Sequence, residues 1–281
     1  MEDSDDEQSV MINPVPATAT ATTNNTTNSA PTTKAGKLKE LIVKEQRLLR
    51  AIAVIVILMN IPYGRYVLYP FILFSTWIHE MCHGMTALMC GGSIASLEIF
   101  HDGSGLATTM LVLNAMYNLN RVLVASAGYM GTSIVGGVLL LFRKTTKVAK
   151  YGVVFIGMLI LFSCALYVRN AFGLLTLLPM GAGLMIGGWF LPDPLVGELY
   201  CYLAVTCCLN AVTSIQVLFD TSAVQSDAHS VAEIMLLPAG VFAFLWLIFS
   251  FIMCFLGLVY GLEGANTNTT ATTTTEELSV V

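Results

Sequence analysis

Between Val67 and Cys90 the chain carries no charged side chain except within one cluster, His79-Glu80-Met81-Cys82-His83. A run this apolar belongs at membrane depth, where ionisable groups persist if they pair, bind a metal or line a wet cavity. The spacing names the chemistry. In H-E-x-x-H, histidines four apart share one face of a helix and can ligate a single zinc ion. Glu80 then sits beside the metal, placed as general base toward a water whose pKa zinc lowers to about 7. The plainer alternative is an interfacial helix end whose His and Glu face water or headgroups.

The rest of the chain agrees with a membrane setting. It is 56% hydrophobic and 11% charged, against about 25% charged in soluble domains. The net charge of −5 arises in the tails, whose eight acidic residues face a single lysine, so the charge points to no acidic or basic partner. The seven cysteines fall in apolar segments with no C-x-x-C pair, which reads as packed free thiols.

Taken in order, residues 1–36 are acidic and then rich in Thr, Asn and Ala, and are expected to be a disordered polar tail. Residues 37–50 read as a basic juxtamembrane helix attracted to an anionic leaflet. Ala51 to Gly64 is apolar but short for a span. After Tyr66–Cys90, Gly91-Gly92 breaks the segment, and Ser93–Val112 predicts a β-hairpin turning at Asp102-Gly103. Further spans are expected over Val122–Phe142, Tyr151–Val168, Ala171–Phe190, Leu199–Phe219 and Ile234–Leu262, with a disordered Thr-rich tail over 263–281. The fold class is therefore an α-helical polytopic membrane protein with about six transmembrane helices, a short N-terminal apolar segment and a membrane-associated β-hairpin.

The positive charges add a constraint. Lys37–Arg50 and Arg143–Lys150 are both expected on the cytoplasmic side, which requires an even number of crossings between them. The apolar segments between them number three, so either Ala51–Gly64 does not cross or the hairpin region adds a crossing. Both tails are expected to be cytoplasmic.

Two histidines leave a catalytic zinc site one protein ligand short. Asp220, Asp227 and His229 lie around the end of one expected span, and His101 and Asp102 lie on the hairpin turn. Asp227 also fits an ordinary helix start after Ser226.

One family has this arrangement. The chain resembles the M50B-like peptidases, relatives of the site-2 proteases, through Pro70-Phe71 leading into His79-Glu80-x-x-His83-Gly84 and Gly91-Gly92. The likeness continues in Asp102-Gly103-Ser104-Gly105 with Thr108, Ala127-Gly128-Tyr129-Met130-Gly131, Arg169-Asn170, and Ser226-Asp227-Ala228 ahead of Ala232. It covers about residues 51–262, the expected membrane peptidase domain. The resemblance implies Zn2+ on His79 and His83, Glu80 as catalytic carboxylate and Asp227 as third ligand, with Asp220 in reserve. It implies a metalloendopeptidase acting on a membrane-protein substrate in the bilayer, with no nucleic-acid partner. Cys82 stands where relatives commonly carry Gly, and the Leu-Asp-Gly setting of the late Asp in site-2 proteases is absent. Two other functions compete, a catalytically silent scaffold of the same fold and a metal transporter. An intact H-E-x-x-H opposes the first, and the near-absence of polar residues from Val122–Phe142 and Tyr151–Val168 opposes the second.

Overall fold

The computed structural model describes residues 39, 42–43, 45–218 and 226–278, with side chains of the helical residues 210–218 and 262–278 left aside. Among these residues ten elements follow in order. Helices α1 (Gln46–Asn60) and α2 (Gly64–Met89) precede a hairpin of β1 (Ser93–Ile99) and β2 (Gly105–Met110). Then come α3 (Tyr117–Phe142), α4 (Thr146–Leu166), α5 (Ala171–Phe190), α6 (Asp193–Leu218), α7 (Asp227–Met235) and α8 (Ala239–Leu278).

The apolar segment at 51–64 is not a separate element. It continues the helix begun in the basic stretch, ends at Asn60, and meets α2 across a 120° bend. Among the described residues four helices (α3, α4, α5 and Ala239–Gly261) are long and apolar enough to cross a membrane, or five if α1 and α2 make one broken span. The expected six exceeds this count. Part of the difference is that bend, since without counting the bent pair as one crossing the expected span Tyr66–Cys90 drops out. Part is α6, which holds the expected span Leu199–Phe219 but is described with side chains only as far as Leu209.

Counting α1 and α2 as one crossing also removes the parity conflict. Glu45, at the start of α1, pairs with both Arg143 and Lys144 at the end of α3, and Arg50 pairs with Glu198 of α6. The chain therefore returns to its starting level after α3, as an even count requires.

Two further boundaries move. Ile234–Leu262 is divided between α7 and α8, because Leu236 turns left-handed (φ 55°) and Pro238 lacks the amide that would continue the first helix. Beyond Leu262 the backbone stays helical to Leu278, so most of 263–281 departs from the expected tail. Extending a nucleated helix costs little per residue, and Thr is only a modest helix former rather than a breaker.

α3 is the hub of the fold, packed against α2, α6, α7 and α8. Trp77, Phe74, Ile160 and Leu177 are among the most buried side chains of the main core. Where Trp77 of α2 meets α4, its indole N–H donates to the Ser163 hydroxyl at 2.9 Å, which donates in turn to the Ile160 carbonyl. Such bonds between membrane helices contribute about 0.6 kcal/mol on average, so close packing rather than polarity holds the bundle.

The hairpin is built as expected in place, though its loop spans Phe100 to Ser104, with the Phe100 amide donating to the Ser104 carbonyl. Gly103 (φ 91°) supplies the left-handed turn there. The Ser104 hydroxyl and amide both donate to Asp102, holding its carboxyl below the usual range.

Candidate metal centre

α2 positions the first two donors. His79 and His83 lie one turn apart, their ring centroids 4.7 Å from each other and nearly perpendicular. His83 Nδ1–H donates to the Val124 carbonyl of α3 at 2.6 Å, which leaves the lone pair of the neutral ring on Nε2. Asp227, in the first turn of α7, supplies the third. Its Oδ2 is 3.3 Å from Nε2 of both histidines, and the three donor atoms all lie within 4.8 Å of one another.

These spacings suit a metal. Bonds of about 2.0–2.1 Å in tetrahedral geometry put neighbouring ligand atoms about 3.3 Å apart. Two imidazole nitrogens and a carboxylate oxygen are also a zinc donor set, with a fourth position left for chemistry. The far wall confirms how closely the space is shaped. A Cβ on Gly128 of α3 would collide with Nε2 of both histidines, so only glycine lets α3 approach this near.

Packing aims Asp227. Ala228 and Val231 are fully buried and seat α7 against Tyr129 of α3 and Ala243 and Trp246 of α8. Tyr129 stacks on Trp246 (5.0 Å, 13°) and meets His79 edge-on (4.7 Å, 88°), joining the α7 platform to His79. Ser226, one residue before α7, takes the N-cap position, so Asp227 opens the helix, as the helix-start reading expects, and also faces both histidines.

With three donors converging beside a buried Glu80, the family comparison has a geometry to meet. Residues 48–257 match the Peptidase M50B-like family. The chain belongs to it. No curated protein and no solved structure matches significantly.

The other candidate ligands of this M50B-like chain fall elsewhere. The His101 carbonyl accepts from Tyr69, Asp102 closes the hairpin loop, and His229 Nδ1 bonds the Ser226 hydroxyl. Asp220 lies outside the described residues. The departure at Cys82 has a structural counterpart: its sulfur packs where a Cβ on Gly131 would be, facing α3.

The hairpin closes over the glutamate. Thr76 and Tyr69 of α2 bond the carbonyls of Gly103 and His101, both at 2.7 Å, fixing the loop to the helix. Gly105 lies so close to Glu80 that a Cβ there would stand 2.6 Å from its Cγ, and the Ala107 amide faces the Glu80 carboxylate. The outer edge of β1 is covered by the connector between α4 and α5. Leu97 exchanges backbone bonds with Tyr167 and Arg169, and the Asn170 carboxamide bonds both the amide and the carbonyl of Ile99. Arg169-Asn170 is the helix connector expected from sequence, but its role as a clamp on β1 had no local signal. The outer edge of β2 faces a cavity of about 530 Å³ shared with His79, His83 and Asp227.

Proposed function

We propose that this protein is an intramembrane zinc metalloendopeptidase that hydrolyses a peptide bond in or near a transmembrane segment of a membrane-protein substrate. His79, His83 and Asp227 hold the ion, and the convergence of these donors from two helices beside buried Glu80 is the observation that carries the reading. Zinc bound there supplies Lewis acidity, polarising the scissile carbonyl and making a water nucleophilic at neutral pH. Glu80 accepts the proton of the attacking water on its carboxylate and delivers it to the leaving nitrogen. The Ala107 amide, facing that carboxylate, orients it.

The substrate reaches the site unwound, because an intact helix keeps its carbonyls in hydrogen bonds. Alternation along β2 turns the amides of Gly105, Ala107 and Thr109 away from β1, given that Ser104 faces Phe100 across the hairpin. That free edge holds the extended segment as an added strand. The chain is multi-pass, with its basic segments and both tails on the cytoplasmic side.

The test is zinc per chain in detergent-purified protein. About one equivalent is expected in wild type and in Glu80→Gln, and loss in His79→Ala and Asp227→Ala. Zinc retained by Asp227→Ala moves the third ligand to another residue, Asp220 first. A folded wild type without zinc sinks the peptidase reading and leaves a membrane scaffold.

A further inference from the structure

The metal centre lies where two cavities meet. His79, Glu80, Gly105 and Tyr129 line both, so a chain passing the Glu80 carboxylate runs from one cavity into the other. The two arms differ in chemistry. The larger, about 650 Å³, has an apolar wall of Ile55 and Met59 of α1 and Leu68, Phe71 and Ile72 of α2. Its charged groups besides Glu80 are Arg65 and Asp102, engaged with each other through the Asp102 carbonyl. The smaller, about 530 Å³, runs along the free edge of β2 and presents Thr109, Tyr117, Arg121, Ser226 and Ser230.

Among the described residues, Arg121 is the one Lys or Arg lining that polar arm. Helical spacing puts it on the face of α3 that also carries Val124, Ala125 and Gly128, the face turned to the histidines. It is half-buried, and among the described residues it enters none of the ion pairs, including those of Asp227, with which it shares the cavity. A guanidinium held at such a place is suited to a carboxylate, which it binds through two parallel N–H donors.

We propose that the site selects its substrate by charge on one side of the scissile bond and by bulk on the other. Arg121 receives an Asp or Glu side chain in the polar arm, and a large apolar residue enters the arm between α1 and α2. The proposal rests on the peptidase reading above and extends it to a substrate class. It also gives α1, too short to span alone, a function as one wall of the apolar arm.

The test uses the full chain in detergent with internally quenched transmembrane peptides. These are identical except for Asp, Asn or Lys placed in turn at each position flanking a central Leu or Phe. Wild type is expected to prefer Asp over Lys by about tenfold or more at one position, the scale of a partly desolvated charge pair. Arg121→Glu inverts that ratio and Arg121→Gln flattens it. The second variant keeps the test decisive where the first disturbs the fold, and zinc content reports on both. A purely structural or headgroup-binding role for Arg121 would change all rates together and leave the Asp-to-Lys ratio as it was. An Asp preference that survives in either variant overturns the proposal, as does a wild type indifferent to charge. Binding of the same peptides to zinc-loaded Glu80→Gln, followed by fluorescence anisotropy, reads the preference without turnover. Preference in binding with no cleavage by wild type would remove the peptidase reading and keep the recognition, and cleavage without preference would do the reverse.

Discussion

At the C-terminal end of α3, Arg143 is only 3% exposed, yet each of its three side-chain nitrogens has an acceptor. Its Nε lies 3.0 Å from Glu45, and its terminal nitrogens donate to the carbonyls of Leu140, Gly257 and Leu258. Midway along the same helix, Gly128 faces His79 and His83, which with Asp227 bring three lone-pair donors together. The first cluster is complete within the protein and ties α1, α3 and α8 together. The second brings three such donors together as a candidate metal site, with a cavity beside it and glycine where a side chain would fill the space. A buried charge whose partners are all supplied by the fold serves structure. A set of acceptors that face one another beside a cavity is a candidate for binding.

Substitutions that separate chemistry from structure sharpen this contrast. The largest effect is expected in Glu80→Gln, which should lower peptide cleavage by about 10³-fold while zinc, measured by mass spectrometry, stays at about one per chain. Arg143→Ala is the counterpart at the closed cluster. It should reduce stability by about 3 kcal/mol, because Glu45 loses its main partner, while zinc content in the surviving folded fraction is unchanged. Denaturant unfolding in detergent measures it, and a stability loss below about 1 kcal/mol would mean that the cluster is no better than a surface pair.

Gly128→Val should weaken zinc binding by about 100-fold, since its side chain competes with both Nε2 atoms for space, in line with a steric cost of about 3 kcal/mol. Competition with a chromogenic chelator reads this, and unchanged affinity would contradict the close approach of α3. Thr109→Pro removes one amide from the free edge of β2 and leaves the ladder to β1 intact. Cleavage should fall by about tenfold, the value of one substrate hydrogen bond, with zinc retained. The smallest change belongs to Cys82→Gly, which should alter zinc affinity by less than about threefold, because the thiol packs on Gly131 and leaves the site to the histidines.

Much of the helical architecture is legible along the chain, and the exceptions have identifiable causes. Ala171–Phe190 is helical over the range read from its apolar run, and the hairpin falls where Gly91-Gly92 and Asp102-Gly103 suggest. The division of Ile234–Leu262 has a signal in Pro238, which apolarity alone conceals. The bend between α1 and α2 has Pro62 and Gly64 beside it, but its angle follows from how the two helices pack. At the site, Gly128 and Tyr129 stand in the motif that suggests the family. Their work there, one as an approach surface and the other as a brace on His79, involves partners far away in sequence.

What the sequence determines by itself is local. The step of four positions from His79 to His83 returns the helix to the same face, and the covalent period of the backbone guarantees it. The absence of other charges from Val67–Cys90 likewise commits the segment to an apolar medium. The third donor, the clamp of Asn170 on Ile99 and the convergence of two cavities on Glu80 are decided only by tertiary structure. Asp227 stands 148 positions from His79, and no repeat spacing links them. They meet because Ala228 and Val231 bury one face of a short helix against α3 and α8, and side-chain packing, which selects among many arrangements of the same helices, fixes that contact.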